Sequence, residues 1–103
     1  MTVILKKDRD GTHKFVAEVP TANGRSKQVH FGRQGYSDYT KHKDKTRMER
    51  YLTRHRKREN WTRAGRYTPG FWSRWLLWSK PGMQAALKQT EKVLGQRIIF
   101  RVK

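Results

Sequence analysis

The chain has 103 residues, with 25 Lys or Arg against 8 Asp or Glu, a net charge of +17 and no cysteine. That length allows one domain, residues 1–103, with a modest core. The missing cysteines exclude a disulfide framework and thiolate metal sites. Hydrophobic and charged residues are nearly equal at 34% and 32%, a balance that borders on disorder, but four Trp, four Tyr and four Phe call for a packed interior. A surface this cationic attracts polyanions over long range, nucleic acid first among them. No secretory leader is read at the amino terminus, where Met1–Leu5 runs straight into Lys6, Lys7 and Asp8. The longest apolar run, Phe71 to Trp78, is far too short to span a bilayer and contains Arg74. The expectation is a protein that is neither secreted nor membrane-bound.

In chain order, Val3 to Asp8 reads as a strand and Asp8-Arg9-Asp10-Gly11 as its turn. His13 to Val19 alternates, with Phe15, Ala17 and Val19 on one face, until Pro20 stops it. Asn23-Gly24 marks a second turn, and Ser26 to Phe31 a third strand with Val29 and Phe31 on one side. Together these form a three-stranded antiparallel meander whose apolar face needs a cover. Gly32-Arg33-Gln34-Gly35 follows. A G-x-x-G loop can bring backbone N–H groups to phosphate, as in KH domains, but those loops join two helices and this one leaves a strand. A turn using glycine for positive φ is the plainer reading.

The next stretch, Lys41 to Trp61, is the most informative. Between Lys41 and Arg66 stand eleven Lys or Arg and three acids, leaving eight net positive charges. Read as one helix starting between Ser37 and Asp44 and running to about Glu59, it segregates its residues. Met48, Tyr51, Leu52 and His55 share a face at the spacing of a buried stripe, while Lys43, Arg47, Arg50, Arg54, Lys57 and Arg58 share another. A solvated helix normally alternates charge at i,i+4; here like charges repeat at that spacing, each pair weakly destabilising. A bound counter-charge would relieve that repulsion. Arg33, Lys41, Arg63 and Arg66 extend the cationic set, and Tyr36 and Trp61 are the candidates for stacking on bases.

Thr68-Pro69-Gly70 is a helix start, with Thr as cap and Pro in the first turn. Phe71, Trp72, Trp75, Leu76, Leu77 and Trp78 then make Phe71 to Ser79 a core helix, with Ser73 and Arg74 at its wet edge. Pro81 opens another helix, whose inner face carries Met83, Ala86, Leu87, Thr90 and Leu94 or Val93, and Gly95 stands where a C-terminal cap belongs. Gln96 to Lys103 alternates as a fourth strand and pairs with the meander. The expected fold is therefore α+β, a meander plus a C-terminal strand with three helices packed on one face of the sheet.

Chemistry has few footholds. His42 and Asp44 with His55 and Glu59 could ligate a metal, and Asp38, Asp44 or Glu59 could serve a small Mg²⁺-dependent nuclease. A carboxylate among so many cations is more simply a local charge partner, with Glu49 pairing Lys45. No Walker, GxSxG, HExxH or zinc-finger pattern occurs. The expectation is a non-enzyme without a cofactor or metal.

Gly35-Tyr36-Ser37-Asp38-Tyr39-Thr40, His42-Lys43-Asp44, Arg50-Tyr51, Arg54-His55, Arg58-Glu59-Asn60-Trp61 and Phe71-Trp72-Ser73-Arg74-Trp75-Leu76-Leu77-Trp78 with Lys80-Pro81 form a long motif. It resembles a family of short basic proteins encoded by large double-stranded DNA viruses of algae and protists, over about Phe31 to Leu94. The resemblance implies a viral setting, in the virion, the host nucleus or a cytoplasmic virus factory, and carries over no catalytic residue. Three functions compete: sequence-independent binding of nucleic acid, DNA before RNA; a virion structural protein whose cations meet acidic capsid proteins; and the small nuclease. Membrane-surface binding ranks last, since the basic helix has no bulky apolar face left for lipid.

Overall fold

A computed structural model describes residues 2–101. Three antiparallel strands come first: β1 (Thr2–Lys7), β2 (His13–Pro20) and β3 (Ser26–Arg33). Helices follow, and β4 (Arg97–Arg101) returns to the free edge of β1, giving the order β3-β2-β1-β4. β4 runs parallel to β1, with Val3 beside Ile98 and Leu5 beside Phe100, so the sheet is mixed. Strand alternation sets which residues face the core but is silent on strand direction. The long helical excursion before β4 returns the chain to the end of the sheet where β1 begins, as a parallel partner requires.

One face of the sheet is buried. Val3 and Leu5 of β1, Phe15, Ala17 and Val19 of β2, and Val29 and Phe31 of β3 form a single cluster, extended by half-buried Ile98 and Phe100 of β4. The cover is α3 (Pro69–Trp72), continuing directly into a π-helical turn, Ser73–Leu77, and then α4 (Met83–Leu94). Phe71, Trp72, Leu76, Leu77 and Leu94 complete the cluster. Gly32 marks a close approach. It has φ +75°, a backbone conformation that glycine adopts without strain, and a Cβ there would press on Leu77 Cδ1 at 2.9 Å where β3 meets the π turn. Gly95 caps α4 in the left-handed region, its N–H reaching the Glu91 carbonyl at 2.8 Å, and Ala86, Thr90 and Leu94 form the buried face as expected.

The core helix read over Phe71 to Ser79 is instead the short α3 running into a π turn that ends at Leu77. The helical region departs from expectation in three further ways. The single basic helix is two: α1 (Tyr39–His42) and α2 (Lys45–His55), parted by Lys43 at φ 56°. Each has an aspartate cap. Asp38 accepts from Thr40 N–H, and Asp44 accepts from the N–H groups of Thr46 and Arg47. Second, α2 stops at His55 instead of Glu59, leaving Lys57 and Arg58 in the turn beyond it. Third, α2 is absent from the core cluster, so the expectation of three helices packed on one sheet face is corrected. It rests on the helical layer through Tyr51, whose ring stacks on Trp78 at 4.5 Å and 4°. A helix with a single buried side chain, Tyr51, cannot displace α3 and α4 from the sheet.

Candidate nucleic-acid interface

Tyr51 is the only buried side chain of α2, and it fixes how the helix presents its cations. It lies between the His55 ring (4.3 Å) and the Trp78 ring (4.5 Å), and His42 closes on Trp78 from the α1 side at 5.3 Å. Burial, and after it the charge of Glu59, pushes the Tyr51 phenol well above its ordinary value. Met48, Leu52 and His55 are half-buried, so the expected stripe exists, although it meets aromatic rings and not the sheet.

With Tyr51 held inward, the three arginines of α2 surround the edge of Trp78. Arg47, Arg50, Arg54 and Trp78 line one polar depression of about 190 Å³. All three arginines are exposed, and among the described residues none forms an ion pair with a carboxylate. Arg54 also lines a neighbouring cleft of about 360 Å³ whose walls include Arg33, Tyr36, His55 and Ser73. Arg33 lies over the exposed Tyr36 ring, its guanidinium carbon 5.4 Å from the centroid. Arg54 is thus the joint between two depressions. Asp38 and Glu59 also line the larger one but are engaged by Lys14 and His55, so the charges left unpaired along this track, among the described residues, are the arginines.

The remaining candidates divide. Lys41 and Lys43 are exposed on and just after α1, and Lys57, Arg58 and Arg63 are exposed beyond α2, off the six-cation helical face that one continuous helix would have made. Arg66 is spoken for: it is half-buried over Tyr67 at 4.6 Å and donates to the Arg63 carbonyl and the Tyr67 hydroxyl. Trp61 is likewise engaged. Its indole N–H donates to Glu59, its carbonyl accepts from Trp75, and Arg74 sits 5.4 Å from its ring centroid. Tyr36 therefore stays open for stacking while Trp61 does not. Arg74, expected at a wet edge, is folded between Trp61 and Trp75, where burial pulls its pKa down.

The carboxylates proposed for metal or nuclease chemistry are engaged one by one. Asp38 is buried and accepts a 2.7 Å bond from Lys14 Nζ, with side-chain exposures of 2% and 9%, in addition to capping α1. Asp44 caps α2, and its own N–H donates to His42 Nδ1. Glu59 bonds His55 (3.0 Å) and the Trp61 indole (2.9 Å). His42, Asp44, His55 and Glu59 therefore do not converge on one point, and Glu49 makes no ion pair with Lys45 among the described residues.

One cluster escaped sequence reasoning. Asp8, Asp10, His13 and His30 bring four ligand-type atoms within 4.8 Å of one another at the β1–β2 turn. In the sequence Asp8 and Asp10 read as turn residues. The signal lay in strand register: β2 pairs Lys7 with Phe15 on one side and Val16 with His30 on the other, which carries His30 to the end of the sheet where Asp8 stands.

No helix among the described residues is long and apolar enough to cross a membrane. No curated protein and no solved structure matches the chain. Residues 3–55 do match a family, and the match takes in the three antiparallel strands, the Arg33–Tyr36 loop and α2 to its last residue. Since that is half of the chain, the protein belongs to the DUF5754 family, a family of unknown function.

Proposed function

We propose that the protein binds nucleic acid without regard to sequence, through the phosphate backbone. The observation that carries this reading is that Arg47, Arg50 and Arg54 stand exposed around Trp78 on one helix, with no carboxylate among the described residues paired to them. Guanidinium groups so placed can each fork onto a phosphate. Arg33 and Tyr36 extend the contact, one as a cation and the other as an exposed ring on which a base can stack. Lys41, Lys43, Lys57, Arg58 and Arg63 add long-range attraction from its flanks. Nothing in this arrangement selects a base, so affinity comes from charge. Occupation of Asp38, Asp44 and Glu59 by partners within the chain favours a binding protein over a nuclease. The viral resemblance makes DNA the first polyanion to test and the virion or a viral factory the first setting.

Gel shifts with duplex DNA, single-stranded DNA and RNA across a salt series test this directly. If about five phosphates are neutralised, log K falls against log[salt] with a slope near −4.5 on duplex DNA. Changing Arg47, Arg50 and Arg54 together to Gln removes roughly three units of slope. Binding that survives the triple change intact excludes this track. Co-sedimentation with purified capsids but not with naked DNA would move the same cations to an acidic protein partner.

A further inference from the structure

At the β1–β2 turn lies the cluster of Asp8, Asp10, His13 and His30, which no step of the nucleic-acid reading uses. We infer that these four residues form a site for one divalent transition-metal ion of the zinc class, fastening the β1–β2 turn to β3.

The geometry is specific to each atom. Asp8 Oδ1 accepts the Asp10 N–H at 3.0 Å, and Asp10 Oδ1 accepts the N–H groups of Thr12 and His13 at 2.8 and 2.9 Å. Each carboxylate thus spends one oxygen on holding the turn and aims the other inward. Asp8 Oδ2 lies 2.5 Å from His30 Nδ1, Asp10 Oδ2 lies 2.8 Å from His13 Nδ1, and His30 Nδ1 is also 3.8 Å from Asp10 Oδ2. The two pairs therefore converge instead of standing apart. A zinc ion with bonds of about 2.1 Å in a tetrahedron needs ligand atoms about 3.4 Å apart. The observed separations, all within 4.8 Å, bracket that value.

The donor set decides the class of metal. Two imidazole nitrogens with two carboxylate oxygens suit zinc, cobalt or nickel, whereas calcium and magnesium take oxygen almost exclusively. Metal-free, each Nδ1 donates its proton to the facing carboxylate. A neutral imidazole that carries its proton on Nε2 instead turns the same Nδ1 into a lone-pair donor without moving the ring. The backbone bonds to Oδ1 already supply the outer support that ligating carboxylates need. Access is open, since the His30 side chain is 41% exposed while Asp8 is 5% exposed. The ion would join the turn to β3 at the point where Gln34 bonds the Thr12 and His13 carbonyls, and so would stiffen the root of the Arg33 loop.

Cobalt(II) is the probe, because four- or five-coordinate Co²⁺ absorbs visibly where the hydrated ion scarcely does. The full chain should take up one equivalent of Co²⁺ with new visible bands, and Zn²⁺ should displace it. At a hundredfold excess over Kd, Zn²⁺ should raise Tm on the order of 10 °C. His13→Gln with His30→Gln should abolish both effects, and His42→Gln with His55→Gln should leave them intact. Asp8→Asn keeps an oxygen for the Asp10 N–H, so it carries the test if the histidine double variant fails to fold; it should weaken Co²⁺ binding at least tenfold. A wild-type chain with no bands and no Tm shift overturns the assignment. So does Co²⁺ binding that persists in the folded cluster variants, because the ion would then lie elsewhere. None of these readouts involves nucleic acid, so the site can fail while the arginine track stands.

Discussion

Trp72 and Trp78 sit at either end of the π-helical turn and belong to two differently built regions. Trp72 is fully buried, stacks on Phe31 at 5.8 Å and donates its indole N–H to the Arg66 carbonyl. It is part of a core in which apolar area against the sheet does the holding. Trp78 is half-buried: it packs against the margin of that core and also meets Tyr51, His42 and the arginines of α2. There the attachment consists of stacked rings, two aspartate caps and one buried ion pair. The core sets the fold, and the second region displays charge from it. A chain of +17 gains from this separation, because mutual repulsion among the α2 cations strains a clip and not the core.

Breaking the core should have the largest effect. Trp72→Ala removes a buried indole whose cavity the sheet cannot close, and should cost about 4 kcal/mol in denaturant unfolding followed by circular dichroism. That is a large part of a typical domain's total stability, so every element should unfold together. Loss of α2 alone would erase the distinction between the regions.

Next comes Asp38→Ala. It strands the Lys14 ammonium in a site where its side chain is 9% exposed, and it removes the α1 cap. Breaking one partner of a buried pair costs about 3–5 kcal/mol. The double variant Lys14→Met, Asp38→Asn removes both charges while keeping a capping oxygen, and should recover most of that loss. Equal instability of the single and double variants would show that the pair positions the β3–α1 loop in some other way.

What is legible in the sequence follows the same division. The meander, the cap at Gly95 and the inner face of α4 rest on local periodicity, and they stand as read. The direction of β4 does not, because alternation is the same either way. Asp44 was a cap signal in plain view, followed by Thr46 and Arg47, but the continuous cationic wheel outweighed it and joined α1 to α2. The Lys14–Asp38 pair spans 24 positions and the Asp8–His30 pair 22, separations that only strand register and loop path bring together. Arg66 and Trp61 looked like binding residues for a simple reason: cationic and aromatic side chains close chemically on each other as readily as on a ligand.

The clip should yield to smaller changes. Trp78→Ala removes the ring on which Tyr51 rests and should cost about 2 kcal/mol, combining lost apolar area with lost stacking. Hydrogen exchange should show α2 amides losing protection while β1, β2 and β3 keep theirs. Alkaline titration gives the same separation by another route. The Tyr51 phenol is raised in the folded chain, so its contribution is intact below about pH 10, where an unfolded tyrosine ionises, and falls away as pH climbs above that. Tyrosinate absorbance should show the late ionisation of Tyr51 in the wild type moving to lower pH in Trp78→Ala.

The smallest effects should distinguish two arginines that the sequence placed in one class. Arg66 gives its guanidinium to the Arg63 carbonyl, the Tyr67 hydroxyl and the Tyr67 ring, and Tyr67 in turn donates to the Pro20 carbonyl at 2.9 Å. Arg66→Gln should therefore cost about 1 kcal/mol of stability, discounted for its partial exposure. Its effect on the salt slope should be near zero. Arg54 stands exposed at the joint of the two depressions, and Arg54→Gln should change stability by less than about 0.5 kcal/mol while lowering the slope by about one unit. Denaturation and salt-dependent gel shifts on the same two proteins give a two-by-two outcome. If both variants move only stability, or both move only binding, the division between structural and displayed cations fails, because it requires opposite responses from residues of identical chemistry.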